Sequence, residues 1–411
     1  MKRQSLLRIC LIVAGLAILV LPLQGRFSAS GEANQVFDDR LVSANIIFGF
    51  KLFAEIVKQD TGKNIFISPA SVAIALAMTC NGAGGETKQA MAKALELHRM
   101  SLEEVNRANA ALRAMLENPD PKVQLNIANS LWARKGIIFK PVFMKRNEDF
   151  YGAEVTTLDF DDPTAPSTIN SWVSEKTKGK IDKIIENISS DAILFLINAI
   201  YFKGNWTVEF AKEKTKELPF YLLDGTEQNH SMMSQSGNYR YYEGKDFQAI
   251  SLPYGDNKRV SMYIFLPNKD SSLKEFLESL NAENWKNWMS QFYMMQGSIV
   301  FPRFKLEYEL NLNNALKALG MEVAFDKNRA NFENMYPISS GVNVFIKEVK
   351  HKTFLEVDEE GTEAAGVTSV EMRITSIGQE FSMIVDRPFF CAIRDNETGT
   401  VLFMGSIVAV K

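Results

Sequence analysis

Three histidines, His98, His230 and His351, are all the imidazole this chain has for acid–base or metal chemistry, and none sits in a spacing that would use it. A zinc hydrolase helix needs H-E-x-x-H, a hydrolase nucleophile turn G-x-S-x-G, a phosphate loop G-x-x-x-x-G-K-[ST], and a redox pair C-x-x-C. The sequence contains none of the four. Asp358, Glu359 and Glu360 are consecutive acids beside a loop, which reads as a solvated edge rather than as two carboxylates with separate acid and base roles. The expectation is a chain that is not an enzyme and uses no metal and no cofactor.

More informative are polar residues set inside apolar runs. Asn198 interrupts "AILFLINAIYF" (192–202), where a buried amide left without partners would cost roughly 1–3 kcal/mol. It must therefore be hydrogen-bonded. His351 opens the strand-like "HKTFLEV", and Ser68 and Ser71 stand at the start of an apolar helix. Two readings stay open: each residue is satisfied separately, or the four form one polar cluster where a sheet must open.

The stretch 359–376, "EEGTEAAGVTSVEMRITS", adds a second oddity. It is free of proline and rich in small and β-branched residues, a strand composition where a long loop would be expected. Its side chains divide by alternation into Thr362, Ala364, Gly366, Thr368, Val370, Met372 and Ile374 on one face, and Glu363, Ala365, Val367, Ser369, Glu371, Arg373 and Thr375 on the other. Every charge after Glu360 in this stretch falls in the second set. That is the pattern of a strand with one buried face.

The elements that must position these residues are mixed. Ser68-Pro69 followed by apolar residues to Met78 is an N-cap with proline at the first helical position, and "NGAGG" (81–85) ends that helix where positive φ is needed. Leu273, Phe276, Leu277 and Leu280 recur at helical spacing, as do Leu312, Ala315, Leu316 and Leu319. Strands are expected over 260–266 and 402–408, apolar on both faces and so central in covered sheets. The fold class is α+β with more than one sheet.

Composition is that of an ordinary globular protein, 46% hydrophobic and 23% charged. Residues 1–30 stand apart as a signal peptide: Lys2, Arg3 and Arg8 precede an apolar stretch over 9–23, and Ser28-Ala29-Ser30 supplies small residues for cleavage. The apolar stretch is shorter than the ~20 residues that span a bilayer, so a retained anchor and a stable membrane partner are not expected. Removing these 30 residues takes the formal charge from −3 to −7 (42 basic against 49 acidic), which gives no basis for nucleic-acid binding. Cys80 and Cys391 remain, both in apolar segments, and read as buried thiols rather than a disulfide. Residues 31–40 follow as an N-terminal segment, and 41–411 read as one domain.

Six motifs in order carry a resemblance to a known family: "NIFISPASVAIALAM" (64–78), "NGAGGET" (81–87), "TKGKI" (177–181), "LINAIYFKGNW" (196–206), "HKTFLEVDEEGTEAAG" (351–366) and "MIVDRPFFCAI" (383–393). The chain resembles the serpins over essentially everything after residue 40. The resemblance implies three β-sheets, about nine helices and an exposed reactive-centre loop, here about 359–380. It also implies a shutter cluster of Ser68, Ser71, Asn198 and His351 under the main sheet, and breach residues Trp206 and Glu359 where the loop first enters. Gly361, Thr362, Glu363, Ala364 and Ala365 match the hinge; Val367 and Thr368 depart from the run of alanines seen in many inhibitors.

Inhibitory members present the loop as bait to a serine protease, form an acyl-enzyme, and insert the cut loop as a strand. About 14 residues at ~3.3 Å each would carry a tethered protease roughly 46 Å. By the family's usual loop length the reactive bond is Thr375–Ser376, suited to elastase-like or subtilisin-like proteases. Arg373 is an alternative with trypsin-like specificity, followed by Met372, Ile374 and Ile377. The resemblance further implies a monomer that is secreted, extracellular or periplasmic, and whose partner is the target serine protease or, across class, a cysteine protease. No glycosaminoglycan partner is expected, because the helix region 101–119 has only Arg107 and Arg113 against three acids. A noninhibitory binding protein or chaperone on the same scaffold is the competing reading.

Overall fold

The structure is a computed structural model that describes residues 37–117, 119–337, 343–362 and 380–410. These lie in one compact unit, Val36–Lys411. Residues 1–30, expected to be a signal peptide, and Glu363, Ala364, Ala365, Arg373, Thr375 and Ser376 fall outside the described residues.

A six-stranded sheet runs, in spatial order, Phe304–Asn311, Glu348–Val357, Gly361–Thr362, Leu194–Asn205, Val123–Arg134 and Glu154–Leu158. Its middle is unusual. Glu348–Val357 and Leu194–Asn205 pair directly and in parallel from Glu348↔Phe195 to Phe354↔Tyr201. Beyond that point they splay, and the two-residue strand Gly361–Thr362 sits between them, with Val357↔Thr362 on one side and Thr362↔Gly204 on the other.

Alternation along the central strands sorts side chains into two cores. Leu194, Leu196, Ile200 and Phe202 face the main core with Val349, Leu355 and Val357, and with Val123, Leu125, Leu131 and Ala133. Phe195, Ile197, Ala199, Ala128, Trp132 and Phe354 face a smaller apolar cluster with Ile169 and Val173 of the helix Ala165–Lys176. Both faces of the sheet are thus covered. Apolar runs without alternation are what such a position demands.

Among the described residues there are nine α-helices, and the hydrogen-bonded ladders number two rather than three. The reason is one long strand, Glu227–Glu243, which pairs with Lys216–Tyr221 near its start, with Tyr293–Pro302 along its middle, and with Phe247–Tyr254 at its end. It carries one ladder continuously into the next, giving a nine-stranded sheet.

Local expectations fare unevenly. The helix Pro69–Cys80 is capped by Ser68 with proline in its first turn, and all twelve of its residues are buried, as an all-round apolar helix must be. It does not end through positive φ: Asn81, Gly82 and Ala83 donate backbone N–H groups to Met78, Thr79 and Cys80 carbonyls in tight turns. Only Gly85 has positive φ, and it opens the next helix, Gly85–Ala94. Gly82 serves close approach instead, since a Cβ there would lie 2.6 Å from the Met335 Cβ. The spacing of Leu312, Ala315, Leu316 and Leu319 yields only Asn313–Leu316 before a wide turn broken by Gly320 at φ 96°. Cys80 and Cys391 are free buried thiols, pushed by burial to about 11 and about 12, so both stay protonated and inert.

Candidate functional site

The strand registers place three polar residues in one row across the sheet. Asn198 is opposite Asn129 on one side and opposite His351 on the other. Each occupies a position whose neighbours two residues away along the strand face the main core, so a polar row is set into an apolar face. The start of the helix Pro69–Cys80 lies over it.

The row is closed by hydrogen bonds. The Asn198 Nδ2 amide donates to Ser71 Oγ at 2.5 Å and to Asn129 Oδ1 at 2.6 Å, and its Oδ1 accepts from His351 Nδ1 at 2.6 Å. His351 Nε2 accepts the Ser68 backbone N–H at 3.0 Å, which fixes the neutral tautomer with the proton on Nδ1. Ser68 Oγ donates to the Leu402 carbonyl at 2.6 Å, and Thr353 Oγ1 to that of Phe66 at 2.7 Å, tying the cluster to the second sheet. Ser68, Ser71, Asn198 and His351 are all completely buried. Burial, only partly offset by Asn198, pulls the imidazole down to about 3. Of the two readings left open by the sequence, the geometry is that of one cluster.

At the splayed end of the same junction lies a second group. The chain turns at Asp358, whose carboxylate accepts the N–H groups of Glu360 at 2.9 Å and Gly361 at 3.0 Å. Burial raises the Asp358 pKa, while these backbone donors oppose the shift. The acids are not a solvated edge as expected. Glu359 is 4% exposed, accepts from Thr215 Oγ1 at 2.7 Å and faces Arg303 at 3.5 Å; Glu360, 8% exposed, pairs with Lys212 at 2.5 Å. The turn is folded back onto the sheet, so these carboxylates leave water and require partners. A surface cavity of about 410 Å³ opens among Lys212, Thr215, Arg303 and the three acids.

Trp206 anchors the turn. Its indole N–H donates to the Asp358 carbonyl at 2.9 Å, its backbone N–H donates to that of Glu360 at 2.9 Å, and its ring stacks on Tyr254 at 4.3 Å. Gly361 has φ 155°, and a Cβ there would stand 2.1 Å from the Gly204 carbonyl oxygen, so no other residue fits. Thr362 is completely buried, its hydroxyl 2.8 Å from the Tyr254 hydroxyl.

Sequence reasoning missed Asn129 and Tyr254. Asn129 was within reach: it shares parity with Val123, Leu125, Leu131 and Ala133 and is the polar exception in that set. Tyr254 offers no local signal, being 108 residues from Thr362. Exposed His98 and half-buried His230, which contacts the Arg303 carbonyl, join neither group. No cluster able to hold a metal occurs among the described residues.

A family model described as Serpin (serine protease inhibitor) matches residues 43–410. The human leukocyte elastase inhibitor is 34% identical over 379 residues, covering 89% of this chain and 98% of its own length. Human Serpin B11 is 32% identical over 392 residues, with 90% and 99% covered. Among solved structures, the native state of tengpin, a thermophilic serpin, matches with a TM-score of 0.85 at 33% identity, over 91% of this chain and 95% of its own.

Two predictions follow from the polar row. Asn198→Ala strands the His351 Nδ1–H in a buried site and is expected to destabilise the protein by roughly 2–4 kcal/mol, with polymers forming on mild heating. Urea unfolding and size-exclusion chromatography check this; wild-type behaviour in both would contradict it. His351 titrates near 3 when folded against 6.5 ordinarily, so between these values the unfolded chain holds a proton that the folded one does not. Its contribution to stability is present above pH 6.5 and is lost as pH falls toward 3. In His351→Gln, unfolding free energy should fall less steeply over that window, by at most about 1.4 kcal/mol per pH unit.

Proposed function

The chain belongs to the serpin family, and we propose that it is a secreted suicide inhibitor of serine proteases. The observation that carries this reading is Gly361–Thr362, a two-residue strand that opens the way between Leu194–Asn205 and Glu348–Val357. Thr362 faces inward and is buried, so continuing the strand would send Ala364, Gly366, Thr368, Val370, Met372 and Ile374 inward and keep Glu363, Glu371 and Arg373 out.

In the proposed reaction the protease serine Oγ attacks the Thr375 carbonyl carbon. The Thr375–Ser376 peptide bond breaks, the Ser376 nitrogen takes a proton from the protease's own acid–base group and leaves as an amine, and Thr375 is held as an ester. The freed segment then zips into the sheet. Each residue added satisfies backbone groups formerly left to water and buries part of the apolar set. The protease is dragged from its docking position before water can hydrolyse the ester. This chain performs no catalysis; it supplies the bait and the folding energy.

Two clusters support these steps. The row Asn129–Asn198–His351 with Ser68 and Ser71 acts as the shutter that must part for the strand to pass. Trp206 and Glu359, with Arg303, Thr215 and Lys212, form the breach that holds the hinge at the entry point. A threonine at the reactive bond favours elastase-like or subtilisin-like targets, and the basic apolar leader at 1–30 supports export.

Incubation with elastase-like, subtilisin-like and trypsin-like proteases is expected to give an SDS-stable complex with the first two, with the cut mapped after Thr375 by mass spectrometry. Cleavage without any stable complex would overturn the inhibitory reading in favour of a binding protein on the same scaffold, and a cut after Arg373 would reassign the target class. Thr362→Arg places a charge where a buried hydroxyl now sits, and should convert inhibitor into substrate. A Thr362→Arg protein that still traps protease would contradict insertion through this hinge.

A further inference from the structure

We infer that Tyr254 is the positioning residue that sets the register of strand insertion, through its hydrogen bond to the Thr362 hydroxyl; this rests on the inhibitory reading given above. Side chains along a strand alternate with a period of two, so a slip of one residue would turn Glu363 inward and Thr362 outward. Something must therefore fix the first pair before the rest follow. Backbone pairing alone does not distinguish one residue from the next. A side-chain hydroxyl read by a fixed partner does.

Tyr254 has the properties this requires. Its ring is held from two sides, stacked on Trp206 at 4.3 Å and edge-on to Phe202 at 5.2 Å. Gly204, the residue opposite Thr362, has no side chain to stand between them: a Cβ there would lie 3.0 Å from the Tyr254 ring. The phenol is completely buried, and among the described residues Thr362 Oγ1 is its one hydrogen-bond partner, at 2.8 Å. Displacing Thr362 by one position would leave a buried hydroxyl unpaired, an unfavourable state relative to the paired one. Trp206 meanwhile holds the Asp358 and Glu360 carbonyls, so the turn and the hydroxyl are read by two stacked rings.

The test begins on the uncleaved protein, without any protease. Amide exchange across 359–362 and 204–206 is followed in wild type, Tyr254→Phe, Thr362→Val, Thr362→Ser and the double variant Tyr254→Phe/Thr362→Val. Tyr254→Phe keeps the stacked ring and removes only the hydroxyl. Exchange at the hinge should speed up on the order of 5-fold in Tyr254→Phe and in Thr362→Val, and the double variant should be no faster than either single. Thr362→Ser, which keeps the hydroxyl, should stay close to wild type, and exchange in the distant strand Val260–Pro267 should not move. Unchanged hinge exchange in Tyr254→Phe would overturn the inference. So would additive effects in the double variant, or a Thr362→Ser protein that behaves like Thr362→Val.

With a target protease, Tyr254→Phe should raise the number of inhibitor molecules consumed per protease trapped, because insertion starts later relative to deacylation. The two claims fail separately. If wild type traps no protease while the exchange data show the coupling, the inhibitory reading fails and the Tyr254–Thr362 contact stands. If wild type traps protease and Tyr254→Phe leaves hinge exchange unchanged, the inference fails and the reading stands.

Discussion

The junction between Leu194–Asn205 and Glu348–Val357 is the constraint on which the remainder of this protein depends. It is a parallel pairing in the middle of a sheet covered on both faces, a place where interruption is normally most costly. Across its centre the side chains are not apolar but Asn198 and His351, joined at 2.6 Å and sealed by Asn129, Ser71 and the backbone of Ser68. A polar row is strong when complete and weak when any member is missing. It therefore holds the strands together cooperatively, and under the proposed mechanism it is the line along which they part.

The two ends of that junction do different work. Toward its start the strands pair without interruption; toward its end they diverge around Gly361–Thr362. The divergence is held by buried carboxylates with named partners, by an indole that binds two carbonyls of the turn, and by a glycine that no other residue can replace. Under the proposed mechanism a strand enters at the open end and advances toward the polar row. On that proposal the uncleaved state is kinetic in origin: it would persist because the segment beyond Thr362 is joined to the protein at both of its ends, not because its arrangement is the lowest in free energy.

Much of this was legible in the sequence, for physical reasons that differ by residue. Asn198 and His351 announced themselves because an amide or imidazole in an apolar strand has to be satisfied, and Ser68 because a serine before proline caps a helix. Asn129 was less visible, since its strand also carries Asn126, and only parity separates the inward asparagine from the outward one. Tyr254 and the burial of Glu359 and Glu360 were not legible at all. Both arise from chain segments far apart in sequence, and consecutive acids look the same locally whether they face water or a folded-back turn. The joining of ladders into one nine-stranded sheet was hidden for a similar reason: whether a 17-residue strand continues a ladder or ends one depends on its partners, not on its own pattern.

The claim at the centre is that the intact chain stores folding energy which cleavage releases. The direct measurement is thermal unfolding of the intact protein against the same protein cut once within 363–379 by a protease it does not trap. The account predicts that the cut form, with both fragments still associated, unfolds at a markedly higher temperature than the intact one. Equal or lower stability after cleavage would contradict it.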